Sequence, residues 1–349
     1  MKKERLKKRQ EEILRAVVKL HIMTNRPVGS RRVAASLEER LSSATVRSLM
    51  ADLETVGYLR QPHTSAGRLP TERGYRYYVD LLMARQPLLQ SEKAIVQSSL
   101  LGVRDDLPGL MEEVSRVLSR LSRQIGIVIS PDITQAKFPR ITFRRLEENR
   151  ILAIFVDQNC QIHSCVLHVR RGYRQKDLDR IGAELEEGLA GMTLEQMRCY
   201  LEENGPAERG TTGKILGRDA QEILRDYLHD TVGDSALILR GMEDIIRQPE
   251  FSDLEKMRSL YRAVQGRRTL MEVLNRCTEK GGIQVLIGSE NLSPELSQFT
   301  LVTSAYGPED RPLGSLGILG PIRMKYGRAV SVVEYVSRYF SHLLTAAIN

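Results

Sequence analysis

The stretch from Pro27 to Met83 restricts the possible fold of this 349-residue chain more than any other stretch does. Its apolar residues first recur at the spacing of amphipathic helices, then give way to a short strand-like segment, and then return to helical spacing. The pattern predicts two short helices separated by a tight turn, followed by a small basic hairpin and a third helix. A longer helix from Glu4 to about Met23 precedes them and supplies a supporting apolar stripe.

Residues that cap helices mark where these short helices begin and end. Ser30 is predicted to open the first short helix, and Ser42 or Ser43 the second, because a serine oxygen accepts hydrogen bonds from the free N–H groups of a first turn. Thr71 is predicted to open the third helix in the same way. Gly57 follows the second helix and predicts a left-handed stop.

The second short helix has two contrasting faces. One face is a continuous apolar stripe made of Val46, Leu49, Met50, Leu53 and Val56. The opposite face carries small side chains with one cation at its edge, namely Ala44, Ser48, Ala51, Thr55 and Arg47. A small face lets a helix backbone approach another polymer closely, as insertion into a DNA major groove about 12 Å wide requires. On the helix alone, an ordinary amphipathic helix with a small solvated face remains an alternative.

The hairpin favours a DNA-binding role. Tyr58–Gln61 is a predicted strand, Pro62–Gly67 a predicted turn, and Arg68 begins the return strand. A helix-turn-helix followed by such a hairpin is a winged helix, and a polar hairpin tip suits contact with phosphates or with the minor groove. An ordinary surface turn is the alternative interpretation of the tip.

Three separated blocks of the sequence carry a family resemblance. The first is SSATVRSLMADLE, followed closely by GYLRQPHTSAGRLPTERGYRYYVD, and the others are QPEFSDLEKMRSL from Gln248 and GILGPIRMKYGRAVSVVEY from Gly317. These blocks resemble the heat-inducible transcription repressor family HrcA, and together they extend over nearly the whole chain. The chain departs from the family pattern at Ser48-Leu49, where the family usually has Asn-Glu.

The order of elements after the hairpin indicates an α+β fold with an insertion. A helix from Pro108 precedes four predicted strands, a long helical stretch follows that includes one helix over Ser252–Cys277, and strands then return before a final helix. The resemblance implies more, namely an N-terminal winged helix-turn-helix and then a GAF-like α+β domain interrupted by a mainly helical inserted dimerising domain. The predicted boundaries are 1–86 for the winged-helix domain, 87–107 for a helical linker, 108–174 and 281–349 for the GAF-like domain, and 175–280 for the insert.

The candidate DNA-binding residues fall into three groups. The recognition helix contributes Ser43, Ala44, Thr45, Arg47, Ser48 and Ala51, the wing contributes His63, Thr64, Ser65 and Arg68, and contacts to the DNA backbone are predicted for Ser30, Arg31 and Arg32.

The distribution of charge agrees with this assignment. The first 85 residues carry 18 Lys and Arg against 9 Asp and Glu, whereas the remaining residues carry 34 against 35. All of the excess positive charge therefore lies on the segment that contains the predicted winged helix, as expected for a protein that binds a polyanion.

Other chemistry finds little support in the sequence. The four cysteines show no C-x-x-C and no paired histidine spacing, so no zinc site or other metal site is predicted. The run Gly314-x-x-Gly317-x-x-Gly320 lacks the features of a phosphate loop and is interpreted as close backbone approach or turns at a sheet edge. No catalytic motif appears, so no enzyme activity, catalytic residue or cofactor is predicted. No apolar run of about 18 residues and no apolar signal core appear, and a cytoplasmic location without membrane contact is predicted.

The predicted function is a sequence-specific transcriptional repressor that binds an inverted-repeat operator in double-stranded DNA as a homodimer, with recognition helices about 34 Å apart. The resemblance implies that the operator controls heat-shock chaperone genes and that heat and a chaperonin modulate the repressor. The alternative is a ligand-responsive transcriptional regulator that senses a small molecule through the GAF-like domain, a role that a fold alone does not establish. A third alternative, an enzyme with an accessory DNA-binding domain, has no motif to support it.

Overall fold

The computed structural model describes residues 6–39, 41–63, 66–103, 107–129, 137–156, 158, 162–189, 191–203, 216–232, 237–291, 293–308 and 312–348. The fold is a mixed α+β fold, as predicted. It divides into two compact units, of which the first comprises Met1–Ile129 and Ile238–Asn349 and the second comprises the intervening Ser130–Leu237.

The first unit begins with helices and one small hairpin, and we call residues 6–82 the N-terminal module. Its elements are α1 (Lys8–Thr24), α2 (Ser30–Ser36), α3 (Ser43–Thr55), β1 (Leu59–Arg60), β2 (Leu69–Pro70) and α4 (Glu72–Tyr77), which a π-helical turn extends over Tyr78–Leu82. The first three helices pack on one another through buried aliphatic side chains, among them Leu14, Val17, Val33, Val46 and Met50. The chain then continues through α5 (Gln90–Leu101), α6 (Leu107–Ser122) and β3 (Ile125–Ile129).

In its described residues, the second unit combines a small sheet with three helices. Its elements are β4 (Arg140–Glu147), β5 (Arg150–Val156), β6 (Ile162–His168), α7 (Gln175–Gly188), α8 (Leu194–Glu203) and α9 (Arg218–Val232). The strands form an antiparallel meander in the order β4-β5-β6, and α7 and α9 pack on it. Phe143, Phe155 and Tyr227 lie in a core that is separate from the core of the first unit.

The chain then returns to the first unit and completes a five-stranded sheet. The elements are β7 (Leu237–Arg240), α10 (Met242–Ile246), α11 (Leu254–Gln265), α12 (Arg267–Lys280), β8 (Ile283–Ile287), β9 (Phe299–Tyr306), β10 (Gly314–Pro321) and α13 (Tyr326–Ile348). The strand order is β7-β3-β10-β9-β8, and α6, α12 and α13 pack against the sheet. We call residues 83–129 and 238–348 the body. None of the helices in the described part of the chain combines the length and the apolarity that crossing a membrane requires.

The boundaries of the inserted unit differ from the predicted ones. The insert was predicted at 175–280 and mainly helical, whereas the compact unit spans Ser130–Leu237 and contains three strands. The reason is that β4–β6 pair with one another and share a core with α7–α9, although their order in the sequence suggests continuation of the sheet that β3 begins. Residues 242–280, predicted to lie in the insert, belong to the first unit, where α12 packs on β9 and β10. Likewise, α5, predicted to be a linker, packs on α6 and α13.

The long helix predicted over Ser252–Cys277 is two helices. Gly266 separates α11 from α12, with φ of −71° and ψ of 50°, so its backbone leaves the helical region at that point. Apolar spacing alone did not reveal this break, because the apolar positions recur at helical spacing on both sides of the glycine.

The glycines of β10 bring backbones close together, which confirms one of the two predicted interpretations, but β10 is the central strand of the sheet and the predicted sheet edge is wrong. A Cβ at Gly317 would lie 2.3 Å from the carbonyl oxygen of Val302 on the neighbouring strand, and a Cβ at Gly314 would lie 2.8 Å from the carbonyl oxygen of Ile129. Both distances are too short for non-bonded atoms, so the central strand tolerates no side chain at these two positions.

The substitution Gly317→Ala is expected to destabilise the first unit by about 1–3 kcal/mol, because the added methyl group overlaps backbone that has no room to move. Chemical denaturation of the full chain measures the change. Gly102→Ala is the matched control, since a Cβ there meets only ordinary contacts of 3.5 Å or more. Equal stability of the two variants would contradict the steric argument.

Candidate nucleic-acid interface

Side-chain and backbone caps define both ends of α3. Ser42 is the N-cap residue, and its Oγ accepts from the backbone N–H of Thr45 at 3.0 Å, so Ser43 is the first helical residue. Gly57 takes a left-handed φ of 79°, as predicted, and its N–H donates to the Glu54 carbonyl oxygen at 2.9 Å. The helix therefore ends in a sharp reversal that leads directly into β1. For α2, the prediction that Ser30 is the cap is wrong, because Gly29 holds the N-cap position and Ser30 is the first helical residue.

The apolar face of α3 points into the core, and the face with small side chains points outward. Val46, Met50 and Leu53 are buried, whereas Val56 at the C-cap is 38% exposed and does not extend the apolar stripe as predicted. The outward face presents the recognition residues of the sequence analysis, of which Ala44, Thr45, Arg47 and Ser48 are exposed and Ser43 and Ala51 are half-buried. The exposed strip consists of small side chains beside one arginine.

Three arginines near this strip are available for a ligand. Arg31 and Arg32 are exposed on α2, and Arg47 is exposed on α3. Within the described residues, none of the three guanidinium groups has a hydrogen-bond or ion-pair partner. An arginine without an internal partner can donate to phosphate oxygens without losing any contact within the protein. Ser30, the third residue predicted to contact the DNA backbone, is half-buried.

The hairpin is short and closed by its own hydrogen bonds. Leu59 pairs with Pro70 and Arg60 with Leu69, so that each strand has only two residues. At the tip, the N–H of Ala66 donates to the carbonyl oxygen of His63 at 2.9 Å. His63 is exposed, whereas Thr64 and Ser65, the other predicted tip residues, lie outside the described residues.

Arg68 occupies a different environment from the one expected of a wing residue. It is half-buried, and its Nε donates to the Glu54 carboxylate at 2.8 Å. Its backbone N–H and carbonyl exchange two hydrogen bonds of 2.9 Å with Val28, in the loop ahead of α2. Arg68 therefore joins the hairpin to α3 and to the α1–α2 loop, and its charge is already paired inside the protein.

Glu54 is a residue of the site that the sequence analysis did not identify. Its carboxylate accepts from Arg68 Nε and, at 2.9 Å, from the backbone N–H of Gln61, so one side chain near the end of α3 contacts both sides of the hairpin. The sequence did carry a signal. A carboxylate in the last turn of a helix opposes the helix dipole, and such a local conflict indicates a compensating partner.

Close backbone contact adds to this anchoring. A Cβ at Gly67 would lie 2.4 Å from the carbonyl carbon of Val28, so only glycine allows the return strand to approach that loop. On the other side of the hairpin, Thr71 caps α4 as predicted, with its Oγ1 accepting from the N–H of Gly74 at 3.1 Å. The position of the hairpin relative to α3 is therefore fixed at its base from both sides.

The tyrosines of α4 and of the π-helical turn that follows it serve packing. Tyr75, Tyr77 and Tyr78 are all buried, and the ring of Tyr77 meets that of Tyr58 edge-on with centroids 5.2 Å apart. The guanidinium of Arg73 lies over the Tyr58 ring, 4.6 Å from its centroid. In the part of the chain that the structure describes, no three His, Cys, Asp or Glu side chains cluster as metal ligands would.

Comparison with known proteins gives a consistent result over the whole chain. A family profile described as the HrcA protein C terminal domain matches residues 109–330. The heat-inducible transcription repressor HrcA of Pelotomaculum thermopropionicum is 34% identical over 345 residues, with 99% of each sequence covered. The protein of the same name from Geobacter sulfurreducens is 35% identical over 339 residues, with 97% of this chain and 98% of that protein covered.

One solved structure resembles this chain along its full length. It is described as a crystal structure of a hypothetical protein at 2.2 Å resolution, and it aligns with a TM-score of 0.62 at 22% sequence identity, covering 98% of this chain and 99% of the other. At that identity the likeness supports the fold and nothing further.

The substitution Glu54→Ala is expected to lower the free energy of unfolding by about 1–3 kcal/mol, since it removes two charge-assisted hydrogen bonds and leaves Arg68 half-buried without its partner. Urea denaturation of the full chain measures the loss. Glu38→Ala is the matched control, because Glu38 is exposed near the end of α2. A loss no larger than that of the control would show that the carboxylate does not anchor the hairpin.

Proposed function

Because the chain belongs to the HrcA family of heat-inducible transcription repressors, we propose that it represses heat-response genes by binding operator DNA through its N-terminal module. The module acts as a winged helix in this proposal, with α3 as the recognition helix and the β1–β2 hairpin as the wing. The observation that carries the proposal is the outward strip of α3, where small side chains stand beside Arg47, whose guanidinium has no partner among the described residues.

The size and chemistry of that strip support entry into the major groove. The side chains of Ala44 and Ser48 are short, so the backbone of α3 can come close to base edges. Arg47 supplies the long donor that reads a guanine edge by two hydrogen bonds. Thr45 lies in the first turn of α3, at the end of a recognition helix that commonly faces the bases.

Arginines outside α3 support contacts to the DNA backbone. Arg31 and Arg32 lie on the helix before the recognition helix, and a first helix of this kind crosses the phosphate backbone in helix-turn-helix proteins. His63 at the hairpin tip, with Thr64 and Ser65 beside it in sequence, is proposed to reach the flanking backbone or minor groove. In this proposal Arg68 holds the wing in place through Glu54 and does not contact DNA itself.

The symmetry of the operator follows from the proposed oligomer. We propose that two copies bind an inverted repeat as a homodimer, with their recognition helices one turn of DNA, about 34 Å, apart. The family implies that heat and a chaperonin modulate the repressor and that it acts in the cytoplasm, where both DNA and chaperonin are found. For the architecture, we propose that the five-stranded sheet of the body forms a GAF-like domain and that the inserted unit, Ser130–Leu237, pairs the two copies.

A mobility-shift titration at moderate salt tests the proposal. Purified full-length protein is expected to bind an inverted-repeat duplex at least roughly a thousandfold more tightly than a scrambled duplex of equal length. Light scattering of the complex is expected to report two protein chains per duplex. Equal affinity for both duplexes, or one chain per duplex, would end the proposal.

The substitution Arg47→Ala is expected to weaken binding to the operator by about 1–3 kcal/mol and to relax the preference at one base position, as loss of a bidentate base contact does. Arg120→Ala is the control, because Arg120 is also exposed but lies on α6 of the body. The measurement is a competition assay with duplexes that vary one base pair at a time. An unchanged preference at every position would remove Arg47 from base recognition.

A further inference from the structure

The structure holds the N-terminal module against the body by a set of ion pairs whose partners are far apart in sequence. We propose that Arg323 is a positioning residue that fixes the orientation of the N-terminal module on the body, so that two modules of a dimer meet operator half-sites at one spacing. The inference rests on the proposed function, since it concerns how that function acquires its geometry. Arg323 touches no DNA in this proposal and acts through α1.

Arg323 joins three segments of the chain at one point. Its guanidinium Nε donates to the carboxylate of Glu250, and its Nη1 donates to the carbonyl oxygen of Ile22 in the last turn of α1. The last carbonyl groups of a helix have no partner within the helix, and a cation at that end is favoured by the helix dipole. Arg323 thus binds the end of α1 as a cap supplied by the body.

The ion pair is shielded from water, so its geometry is restrictive. The side chains of Arg323 and Glu250 are only 17% and 11% exposed. Removing one partner of such a pair leaves the other charge without compensation, and the rigid planar guanidinium fixes the directions of its donors, which a lysine ammonium on its flexible stem does not. Both residues belong to blocks that carry the family resemblance, Glu250 to the block from Gln248 and Arg323 to the block from Gly317.

A second ion pair holds α4 of the module. Arg76 donates to Glu290 through Nε at 2.8 Å and through Nη2 at 2.5 Å, and also to the carbonyl oxygen of Val285 on β8. One turn earlier, the carboxylate of Glu72 accepts from the N–H and the Oγ of Ser289, at 3.1 and 2.6 Å. The edge of the sheet therefore contacts α4 through charged groups as well as through packing.

Aromatic packing lies close to both ion pairs. The ring of Tyr75 on α4 meets that of Tyr326 at the start of α13, with centroids 5.7 Å apart, and the Tyr75 hydroxyl is 2.6 Å from Nδ1 of His21. Burial, together with the charge of Arg323, lowers the pKa of His21 to about 4, so the ring is neutral near pH 7. A neutral ring adds no second positive charge beside Arg323.

The segment that connects module and body is held as well. A Cβ at Gly327 would lie 2.3 Å from the carbonyl oxygen of Ala84, and Arg85 contacts Glu334 of α13 at 2.5 Å. The module is consequently fixed at the end of α1, along α4 and at its exit. Each attachment holds a different segment of the module, and Arg323 is the one that holds the end of α1, so its loss lets that end of the module move.

This attachment matters for an inverted repeat because the spacing of two half-sites is a geometric requirement. A dimer with rigidly held modules binds both half-sites of one spacing only, whereas a dimer with loosely held modules reaches several spacings. When the geometry prevents the second module from binding, the protein loses the gain in affinity that bivalent binding gives. That gain is roughly a hundredfold or more.

The experiment measures affinity as a function of spacing. Mobility-shift titrations compare the operator with duplexes in which the spacer is lengthened by about two and about five base pairs, which rotate one half-site by roughly 70° and 170°. For the full-length native protein, both changes are expected to weaken binding roughly a hundredfold. For Arg323→Gln, affinity for a single half-site is expected to stay within about twofold, while the penalty for the altered spacers falls to roughly tenfold or less.

Two further variants separate positioning from general destabilisation. Arg323→Lys keeps the charge and is expected to recover part of the spacing preference, and Arg247→Gln is the matched control, since Arg247 is exposed and close in sequence to Glu250. A merely structural role predicts that all duplexes weaken by the same factor and that the spacing profile is unchanged. That result overturns the inference.

The remaining outcomes are also decisive. If circular dichroism shows that Arg323→Gln does not fold, Glu250→Gln replaces it, because that change preserves the shape of the side chain. If neither variant folds, the pair determines folding and the inference is wrong. If the native protein fails to prefer the inverted repeat over scrambled DNA, the proposed function is wrong, and the inference is wrong with it. If the native protein does prefer the inverted repeat, but Arg323→Gln shows the same dependence of affinity on spacer length, only the inference is wrong.

Discussion

Burial of the inner face of α3 against α1 and α2 is the constraint on which the rest of the N-terminal module depends. Val46, Met50 and Leu53 can enter that core only if the small residues of the same helix turn outward. One packing arrangement therefore creates both an interior and a surface that another polymer can approach. The hairpin follows from it, because Gly57 reverses the chain at the end of α3 and Glu54 binds both sides of the returning backbone.

The arginines of the first unit divide into those that are paired with carboxylates and those that are not, and a count of arginines does not distinguish the two. Arg68, Arg76 and Arg323 are paired with carboxylates and hold parts of the protein together. Arg31 and Arg47 are exposed and have no partner among the described residues. A net positive charge attracts DNA at long range, but only unpaired guanidinium groups are ready to donate at contact. The charge of the first 85 residues therefore overstates how many arginines can bind DNA.

Most predictions that depended on local sequence agree with the structure, although the cap at Ser30 and the single helix over Ser252–Cys277 were wrong. The stop at Gly57 and the cap at Thr71 were predicted correctly, because turn and capping chemistry act over a few residues. The limits of the inserted unit, which depend on distant partners, differ from the predicted ones, because whether a strand joins the sheet of β3 or a separate meander is decided by pairing with residues far along the chain.

By itself, the sequence determined the α+β class, the two short helices with their hairpin, the outward strip of α3 and the resemblance to a repressor family. Each of these rests on periodicity, capping or short motifs. Only the tertiary structure decided that Glu54 and Arg68 anchor the hairpin and that Arg323 binds the end of α1 through a carbonyl 301 residues away. The physical reason is that an ion pair forms only where two charged groups lie close together in space. The positions of charged residues along the sequence do not give that distance.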